Sequence, residues 1–242
     1  MLVDTSLLQQ LSNLADLLFT TSCSLCGSQH QVTGIICQAC VGDLPTNQNP
    51  CRVCALPIPA TTNGKICGAC LTKPPKFDQV IAPLLYQPPV DGLISQLKYR
   101  QRLASGRTLA RIIADHLHES GTALPEALIP VPLHKLRLKQ RGYNQTQEIA
   151  RLLAAQLNLP LLSHSVTRHK ATVSQTGLNA KARRQNLRGA FSVELTQPYD
   201  HVTIIDDVMT TGSTAAELAK ALKQAGVRRV DVWVVARVEN PR

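Results

Sequence analysis

The chain has 242 residues, 44% hydrophobic and 17% charged, which argues against widespread disorder and leaves room for two domains of unequal size. Its 26 Lys and Arg against 16 Asp and Glu give a formal charge of +10, which fits polyanionic or phosphorylated partners as well as an ordinary solvated basic surface. Only 3% of residues are aromatic, which disfavours a nucleic-acid surface built mainly on stacked bases.

The first segment, residues 1 to 22, is predicted to be one amphipathic helix, because Leu7, Leu11, Leu14 and Leu18 recur at helical spacing. Its other face has few basic residues, so we expect it to pack on its own domain rather than on a membrane. The sequence shows neither a secretory signal nor a span of about 18 apolar residues. We therefore expect a cytoplasmic protein with no membrane span.

Eight cysteines follow, arranged as four C-x-x-C pairs between residues 23 and 70. Two such turns can supply the four thiolates that zinc prefers, and the spacers of ten, ten and twelve residues suit two successive structural Zn²⁺ sites. The predicted ligands are Cys23, Cys26, Cys37 and Cys40 for the first ion and Cys51, Cys54, Cys67 and Cys70 for the second. A redox dithiol, a disulfide scaffold, an iron–sulfur centre and an interleaved pairing of the turns are the alternatives.

Residues 23 to 72 are therefore predicted to form a double zinc ribbon that depends on metal for its folding, because they contain few large apolar side chains. Two tetrathiolate zinc sites of about −2 each would lower the formal charge of the chain to about +6. The segment KPPKF at residues 73 to 77 is stiffened by two prolines and marks the predicted boundary. A second domain is predicted over residues 78 to 242.

In this second part short apolar strands alternate with periodic helices, which is typical of an α/β domain with a mainly parallel sheet and flanking helices. The predicted strands are VIAPLLY, ALIPVP, VTII and VDVWVV, and the predicted helices are DGLISQLKYR, residues 105 to 118, a segment capped by Asn144, and Thr214 to Ala225. The basic cluster of Lys98, Arg100 and Arg102 is interpreted as the surface of a helix.

The most informative segment is VTIIDDVMTTGST, residues 202 to 214, which runs from a strand through an acidic pair to the start of a helix. A helix N-terminus presents unpaired amides and a positive dipole end, which attract a phosphate group. The predicted 5-phosphate contacts are Thr210, Thr211, Gly212, Ser213 and Thr214. Asp206 and Asp207 are placed to accept hydrogen bonds from ribose hydroxyls, so the predicted ligand carries both a phosphate and a ribose.

This segment resembles the phosphoribosyl pyrophosphate loop of type I phosphoribosyltransferases. With IPVPLHKLRLKQRGYNQ, QTGLNAKARRQNLRGAF and the four C-x-x-C pairs, it makes the chain similar to the ComF family of competence-associated proteins, which includes GntX-like members. The resemblance implies a type I phosphoribosyltransferase fold preceded by a zinc-ribbon module, Mg²⁺ bound with phosphoribosyl pyrophosphate, and a role in DNA uptake during natural transformation. It also implies single-stranded DNA, and a DNA-uptake or helicase protein, as partners.

Two basic segments complete the predicted site. By similarity, the turn after Pro132 is the pyrophosphate loop, with Arg137, Arg141 and Gly142 as contacts, and a solvated basic turn is the alternative. Residues 168 to 189 lack clear periodicity and match the position of a flexible lid, which could close over pyrophosphate or follow a DNA backbone. The predicted DNA contacts in this segment are Lys181, Arg183, Arg184 and Arg188.

Three functions stay open on the sequence alone. They are a phosphoribosyltransferase with an unidentified acceptor, a regulator that senses phosphoribosyl pyrophosphate, and a ComF-type DNA-uptake factor, which the resemblance favours. Purine-salvage relatives carry an aspartate that manages the proton of the base where this chain has Thr210, and a threonine is a poor base near neutrality. Salvage of 6-oxopurines is therefore disfavoured.

Overall fold

The computed structural model describes residues 22–29, 32–33, 36–61, 65–100, 102–170 and 187–239. The chain forms two compact units, Met1–Leu44 and Pro45–Arg242. A search of the described residues finds no helix with the length and apolar character needed to cross a membrane. The predicted helix over residues 1 to 22 lies, apart from Ser22, outside the described residues.

The first unit contains β1 (Val32–Thr33), β2 (Ile36–Cys37) and α1 (Gln38–Gly42), and the two strands pair antiparallel. Its first C-x-x-C turn is closed by two backbone hydrogen bonds, from the Gly27 amide to the Cys23 carbonyl at 2.9 Å and from the Cys23 amide to the Ser28 carbonyl at 2.8 Å. The second C-x-x-C pair crosses from the end of β2 into α1. Both turns are thus short and backbone-bonded, as a metal ribbon requires.

The second unit contains the remaining elements. In chain order they are α2 (Gly68–Thr72), β3 (Gln79–Ile81), β4 (Leu84–Leu85), α3 (Val90–Arg100), α4 (Leu103–Glu119), β5 (Ala127–Pro130), α5 (Lys135–Arg141), α6 (Gln145–Leu157), β6 (Val166–Arg168), β7 (Phe191–Val193), β8 (His201–Met209), α7 (Ser213–Gln224) and β9 (Arg229–Arg237). The unit begins at Pro45, so it includes the second cysteine group. The predicted domain boundary at residues 73 to 77 stays a prediction.

Five of the described strands form one parallel sheet in the order β3-β9-β8-β5, with β4 also pairing β9. β9 is central: Val232 pairs with Val80 of β3 on one side and with Ile204 of β8 on the other. Parallel pairing brings the carboxyl ends of β4, β5, β8 and β9 to the same edge, where ligand sites of such sheets lie. The predicted α/β class with a mainly parallel sheet is confirmed.

Helices cover both faces of this sheet. One apolar cluster joins Ile204 and Val232 of the sheet to Leu218 and Leu222 of α7. Because side chains alternate across a strand, Ile205 points to the opposite face, where α4 and α6 contact the sheet. The antiparallel pair β6 and β7, which the sequence analysis did not predict, lies beside α7.

The basic turn after Pro132 also differs from the prediction, because it contains the helix α5. The His134 ring caps this helix by accepting a hydrogen bond from the Leu136 amide at 3.3 Å, and Gly142 ends it with φ of 82°. A residue with a side chain would be strained at that φ, which explains the glycine. Residues 135 to 141 therefore hold their basic side chains on a helix rather than on an irregular loop.

Candidate functional site

The segment predicted to bind phosphate forms a pocket at the carboxyl edge of the sheet. β8 ends at Met209, and Gly212, with φ of 73°, is the N-cap of α7. A side chain at Gly212 would be strained at this φ, and its Cβ would meet Met209 Sδ at 3.5 Å and the Phe77 ring at 3.7 Å. The pocket measures about 310 Å³ with the solvent at its mouth, and it is lined by Leu187, Asp206 and residues 208 to 215. The structure thus gathers all five predicted phosphate contacts beside Asp206.

Donors in this pocket come from backbone and hydroxyl groups. The first amides of α7 have no carbonyl one turn earlier in the helix, so they are available to an anion. The hydroxyls of Thr211 and Ser213 lie 2.8 Å apart and share a hydrogen bond, and the Ser213 amide donates to Thr211 Oγ1 at 3.4 Å. An entering phosphate can exchange these internal bonds for its own oxygens, which is the chemistry that the sequence predicted.

The two members of the acidic pair lie beside each other but differ in their partners. Asp206 faces the pocket, and its Oδ1 accepts a hydrogen bond from the Asp207 amide at 2.9 Å. Asp207 is buried and forms an ion pair with Lys98 of α3. Burial, followed by the Asp207 carboxylate, raises the pKa of Asp206 well above its ordinary value. Asp206 thus lines the pocket, and Asp207 lies beside it against Lys98.

Lys98 lies against the acidic pair, a contact that the interpretation of Lys98, Arg100 and Arg102 as the surface of a helix did not predict. Its side chain is 22% exposed and is held against Asp207. Burial acts to lower the pKa of Lys98, but the Asp207 and Asp206 carboxylates together raise it above its ordinary value. One signal was available: Lys98 lies four residues after the buried Ile94, on the inward side of α3.

The predicted pyrophosphate contacts fall into two groups. The Arg141 guanidinium donates to Gln145 Oε1 at 2.5 Å and lies 5.3 Å from the centre of the Tyr99 ring. Arg137 instead acts electrostatically on Arg168, a buried residue of β6 that the sequence analysis also missed. Burial and Arg137 lower the pKa of Arg168, and Asp206 opposes them. The structure therefore places Arg168 within electrostatic reach of both Arg137 and Asp206, and Arg141 beside Tyr99.

Of the four predicted DNA contacts, only Arg188 belongs to the described residues, and Lys181, Arg183 and Arg184 lie outside them. Arg188 is exposed, and its carbonyl accepts a hydrogen bond from Lys170 Nζ at 2.6 Å. The next amide, of Gly189, donates to Glu217 Oε1 of α7 at 2.8 Å. These two hydrogen bonds fix the backbone at Arg188 and Gly189, directly after Leu187, which lines the pocket.

The eight cysteines form two groups in the sequential pairing, with the sulfur atoms of each group within 4.8 Å of one another. Cys26 and Cys37 Sγ lie 3.7 Å apart, and Cys54 and Cys67 Sγ lie 3.6 Å apart. Four ligands at the Zn–S bond length of about 2.3 Å in a tetrahedron would place sulfurs about 3.8 Å apart, so both groups fit zinc. The interleaved pairing is not formed.

The second cysteine group is prepared for metal by its backbone. The Cys67 amide donates to Cys51 Sγ at 3.2 Å. Burial acts to raise the pKa of Cys51, but the amides of Cys67, Cys54 and Val53 lower it to about 7. A thiol with this pKa is partly a thiolate near neutrality, which is the form that binds zinc.

We expect zinc removal by 1,10-phenanthroline to unfold the cysteine ribbons and to lower the melting temperature of the sheet by several degrees. The second expectation arises because Val53, Cys54 and Ala55 pack into the apolar cluster of the sheet. Calorimetry and amide NMR would measure both effects, with the non-chelating 1,7-phenanthroline as control. Unchanged N-terminal amide dispersion in a preparation shown to be free of zinc would contradict the metal-dependent fold.

Comparison with known proteins adds to this geometry. The family model described as the double zinc ribbon domain matches residues 14–71, which confirms the predicted ribbon. DNA utilization protein YhgH of Escherichia coli K12 is 38% identical over 206 residues, 84% of this chain and 90% of that protein. Competence protein F of Haemophilus influenzae is 41% identical over 178 residues, 71% of this chain and 78% of that protein. Among solved structures, a purine phosphoribosyltransferase from Pyrococcus horikoshii Ot3 matches 55% of this chain and 81% of its own, at 18% identity and a TM-score of 0.31.

Proposed function

The chain belongs to the ComF family, together with competence protein F and DNA utilization protein YhgH, and from this premise we propose that it serves DNA uptake or utilization. In this role it acts in the cytoplasm and binds single-stranded DNA and phosphoribosyl pyrophosphate, the latter with Mg²⁺. One observation carries the ligand assignment: a carboxyl group, Asp206, and the N-terminus of α7 line the same pocket. A DNA-uptake or helicase protein is a further proposed partner, on family membership alone.

The charges around the pocket support an anionic ligand. Two adjacent carboxylates would repel a phosphate, but Lys98 forms an ion pair with Asp207 and also attracts Asp206. Arg168 adds positive charge that acts on Asp206, and Arg137 lies within electrostatic reach of Arg168. Phosphoribosyl pyrophosphate combines a 5-phosphate for the amides of α7, ribose hydroxyls for Asp206, and a pyrophosphate whose charge Mg²⁺ and these guanidinium groups would balance.

Calorimetry with phosphoribosyl pyrophosphate, in the presence and absence of Mg²⁺, tests this proposal directly. We expect saturable binding that strengthens with Mg²⁺, and weaker binding of ribose 5-phosphate, which lacks the pyrophosphate. Release of pyrophosphate on adding candidate acceptors would reveal a transferase, the alternative function, whereas tight binding without turnover would indicate a sensor. The absence of any binding to the zinc-loaded chain would refute the ligand assignment.

Single-stranded DNA is proposed to contact the basic groups beside the pocket. Arg188 is exposed and follows Leu187, which lines the pocket, and Arg141 lies over Tyr99, which is 70% exposed. This tyrosine offers a surface on which a base can stack. The low aromatic content of the chain did not predict such a surface. The proposed contact is therefore mainly to the DNA backbone, with one aromatic platform.

We expect affinity for single-stranded DNA to fall steeply with salt, with a slope of log K against log salt of about −0.7 for each phosphate contacted. Tyr99→Ala should lower the affinity by about 1–3 kcal/mol while leaving the slope unchanged, because stacking releases no counterions. Tyr99→Phe is the matched control, since it retains the ring. Fluorescence anisotropy across a salt series measures both quantities, and a flat salt response would contradict backbone-dominated binding.

A further inference from the structure

Arg237, the last residue of β9, is a buried arginine whose contacts reach the second cysteine group. Its side chain is 3% exposed, and its Nε donates to the Cys54 carbonyl at 3.0 Å. Cys54 belongs to the group with Cys51, Cys67 and Cys70. The arginine therefore grips the backbone of a metal-ligand turn from outside the ligand set.

The same guanidinium also holds the start of the segment predicted to bind the 5-phosphate, residues 210 to 214, which is called the phosphate loop below. Its Nη1 lies at hydrogen-bonding distance from three carbonyl oxygens, those of Met209 at 3.0 Å, Thr210 at 2.5 Å and Val238 at 2.9 Å. Met209, which ends β8, and Thr210 lead to Gly212, the residue with positive φ that caps α7, and so they influence where α7 begins. One side chain thus spans the metal turn and the anion-binding turn.

Apolar packing joins the same two regions. Ala55, which follows the metal turn, belongs to one buried cluster with Phe77 and Met209, and Val53 and Cys54 pack against that cluster. The Phe77 ring and Met209 Sδ are the atoms nearest to the position of a Cβ at Gly212. The turn of the second cysteine group therefore shares an apolar cluster with Met209, which lines the pocket.

Arg237 is buried without a carboxylate partner. Among the residues that the structure describes, no carboxylate forms an ion pair with Arg237, and its hydrogen bonds go to backbone carbonyls, one of them in the Cys54 turn. Four thiolates around Zn²⁺ carry a net charge of about −2. A buried cation is costly unless paired, so a zinc tetrathiolate is the counter-charge that this site provides.

We propose that Arg237 is a positioning residue that couples zinc at the second cysteine group to the shape of the phosphate loop. It serves as the outer-shell cation of the metal site and as the clamp on the Met209 and Thr210 carbonyls. Zinc loss withdraws the counter-charge, loosens the Cys54 turn and frees the loop. The part of this inference that concerns ligand affinity rests on the proposed binding of phosphoribosyl pyrophosphate; the part that concerns zinc and loop order does not.

The test compares the full chain with Arg237→Gln, which removes the charge, and Arg237→Lys, which retains the charge but lacks the several N–H donors of the guanidinium group. The matched control is Arg229→Gln at the opposite end of the same strand, where the arginine bonds to Asp231. We expect one of the two zinc ions to be held about 10–100-fold more weakly in Arg237→Gln, as for other outer-shell residues, and with parental affinity in the control. A colorimetric chelator competition measures this retention.

Loop order is measured by hydrogen exchange of the amides of residues 210 to 215. We expect faster exchange in the Arg237 variants and in the zinc-depleted parent, and little further change when zinc is removed from Arg237→Gln. Affinity for Mg²⁺ and phosphoribosyl pyrophosphate should fall at least about tenfold in the same samples, because the loop amides are no longer preorganised. The Arg229→Gln control should retain parental exchange and affinity.

Each outcome decides the matter. Unchanged zinc retention in both Arg237 variants overturns the outer-shell role, and unchanged loop exchange after zinc depletion of the parent overturns the coupling. If the parent binds no phosphoribosyl pyrophosphate, the proposed function fails, while zinc retention and loop exchange still judge Arg237. If Arg237→Gln does not fold, Arg237→Lys and the zinc-depleted parent supply the same comparisons.

Discussion

A chain carrying both Asp206→Ala and Asp207→Ala should lose affinity for phosphoribosyl pyrophosphate by roughly 100-fold or more. Each charge-assisted hydrogen bond contributes about 1.5–3 kcal/mol, and the double change removes the carboxyl group that lines the pocket together with the partner of Lys98. Calorimetry of the purified variant measures the loss. Asp115→Ala, which removes an exposed acid from α4, is the control and should bind like the parent.

Single changes separate the two acids. Asp206→Asn should weaken binding directly, because Asp206 faces the pocket, whereas Asp207→Asn should act through the orientation of Lys98 and the strand. Transformation frequency in a competent host lacking the gene extends the test to the cell, with protein abundance checked alongside. Rescue by the intact chain but not by the double variant would tie the pocket to DNA uptake. Undiminished calorimetric binding by the double variant would remove Asp206 and Asp207 from the ligand site.

Lys98→Met should destabilise the second unit by about 3 kcal/mol, because it leaves the buried Asp207 carboxylate without its cation. The loss should grow as pH rises above the ordinary pKa of an aspartate. Lys98 acts to lower the pKa of Asp206, so without it this pKa rises further and the folded chain holds more protons than the unfolded one. When the folded state binds more protons, stability falls with increasing pH. Urea unfolding at several pH values measures the effect.

Arg100→Met is the matched control, since Arg100 is an exposed basic residue on the same helix. It should change stability by no more than a few tenths of a kcal/mol at any of these pH values. Combining Lys98→Met with Asp207→Asn should recover much of the loss, because neither charge is then left alone. Equal stability of Lys98→Met and the parent at pH 8 would show that the ion pair contributes nothing to folding.

The features that local spacing determines could be predicted from the sequence. Four C-x-x-C turns bring their thiols together through short backbone loops, so the sequential groups follow from the chain order. The phosphate loop likewise needs only a strand, Gly212 and a helix start in succession. The assignment of both Asp206 and Asp207 to the ribose stays a prediction.

The missed residues depend on contacts between distant segments. Lys98 meets Asp207 only because α3 packs where β8 ends, and nothing in the sequence around Lys98 specifies that neighbour. Arg237 contacts Cys54 across 183 positions of chain. Sequence periodicity indicates which face of an element is buried, but it does not indicate which element covers that face. Arg168 was missed for the same reason, since its strand pairs with β7 outside the main sheet.

The central position of β9 has a consequence for biosynthesis. The ribosome makes the cysteine turns and β3 long before it makes β9, which pairs with β3. Arg237 of β9, which donates to the Cys54 carbonyl, is synthesised 183 positions after Cys54. Such long-range closures are slow, and they leave apolar strand edges exposed on the nascent chain. Zinc can enter the second ribbon early, whereas the ligand pocket takes shape only after the last strand inserts. We therefore expect a newly made chain to be able to take up zinc before the pocket beside α7 is complete.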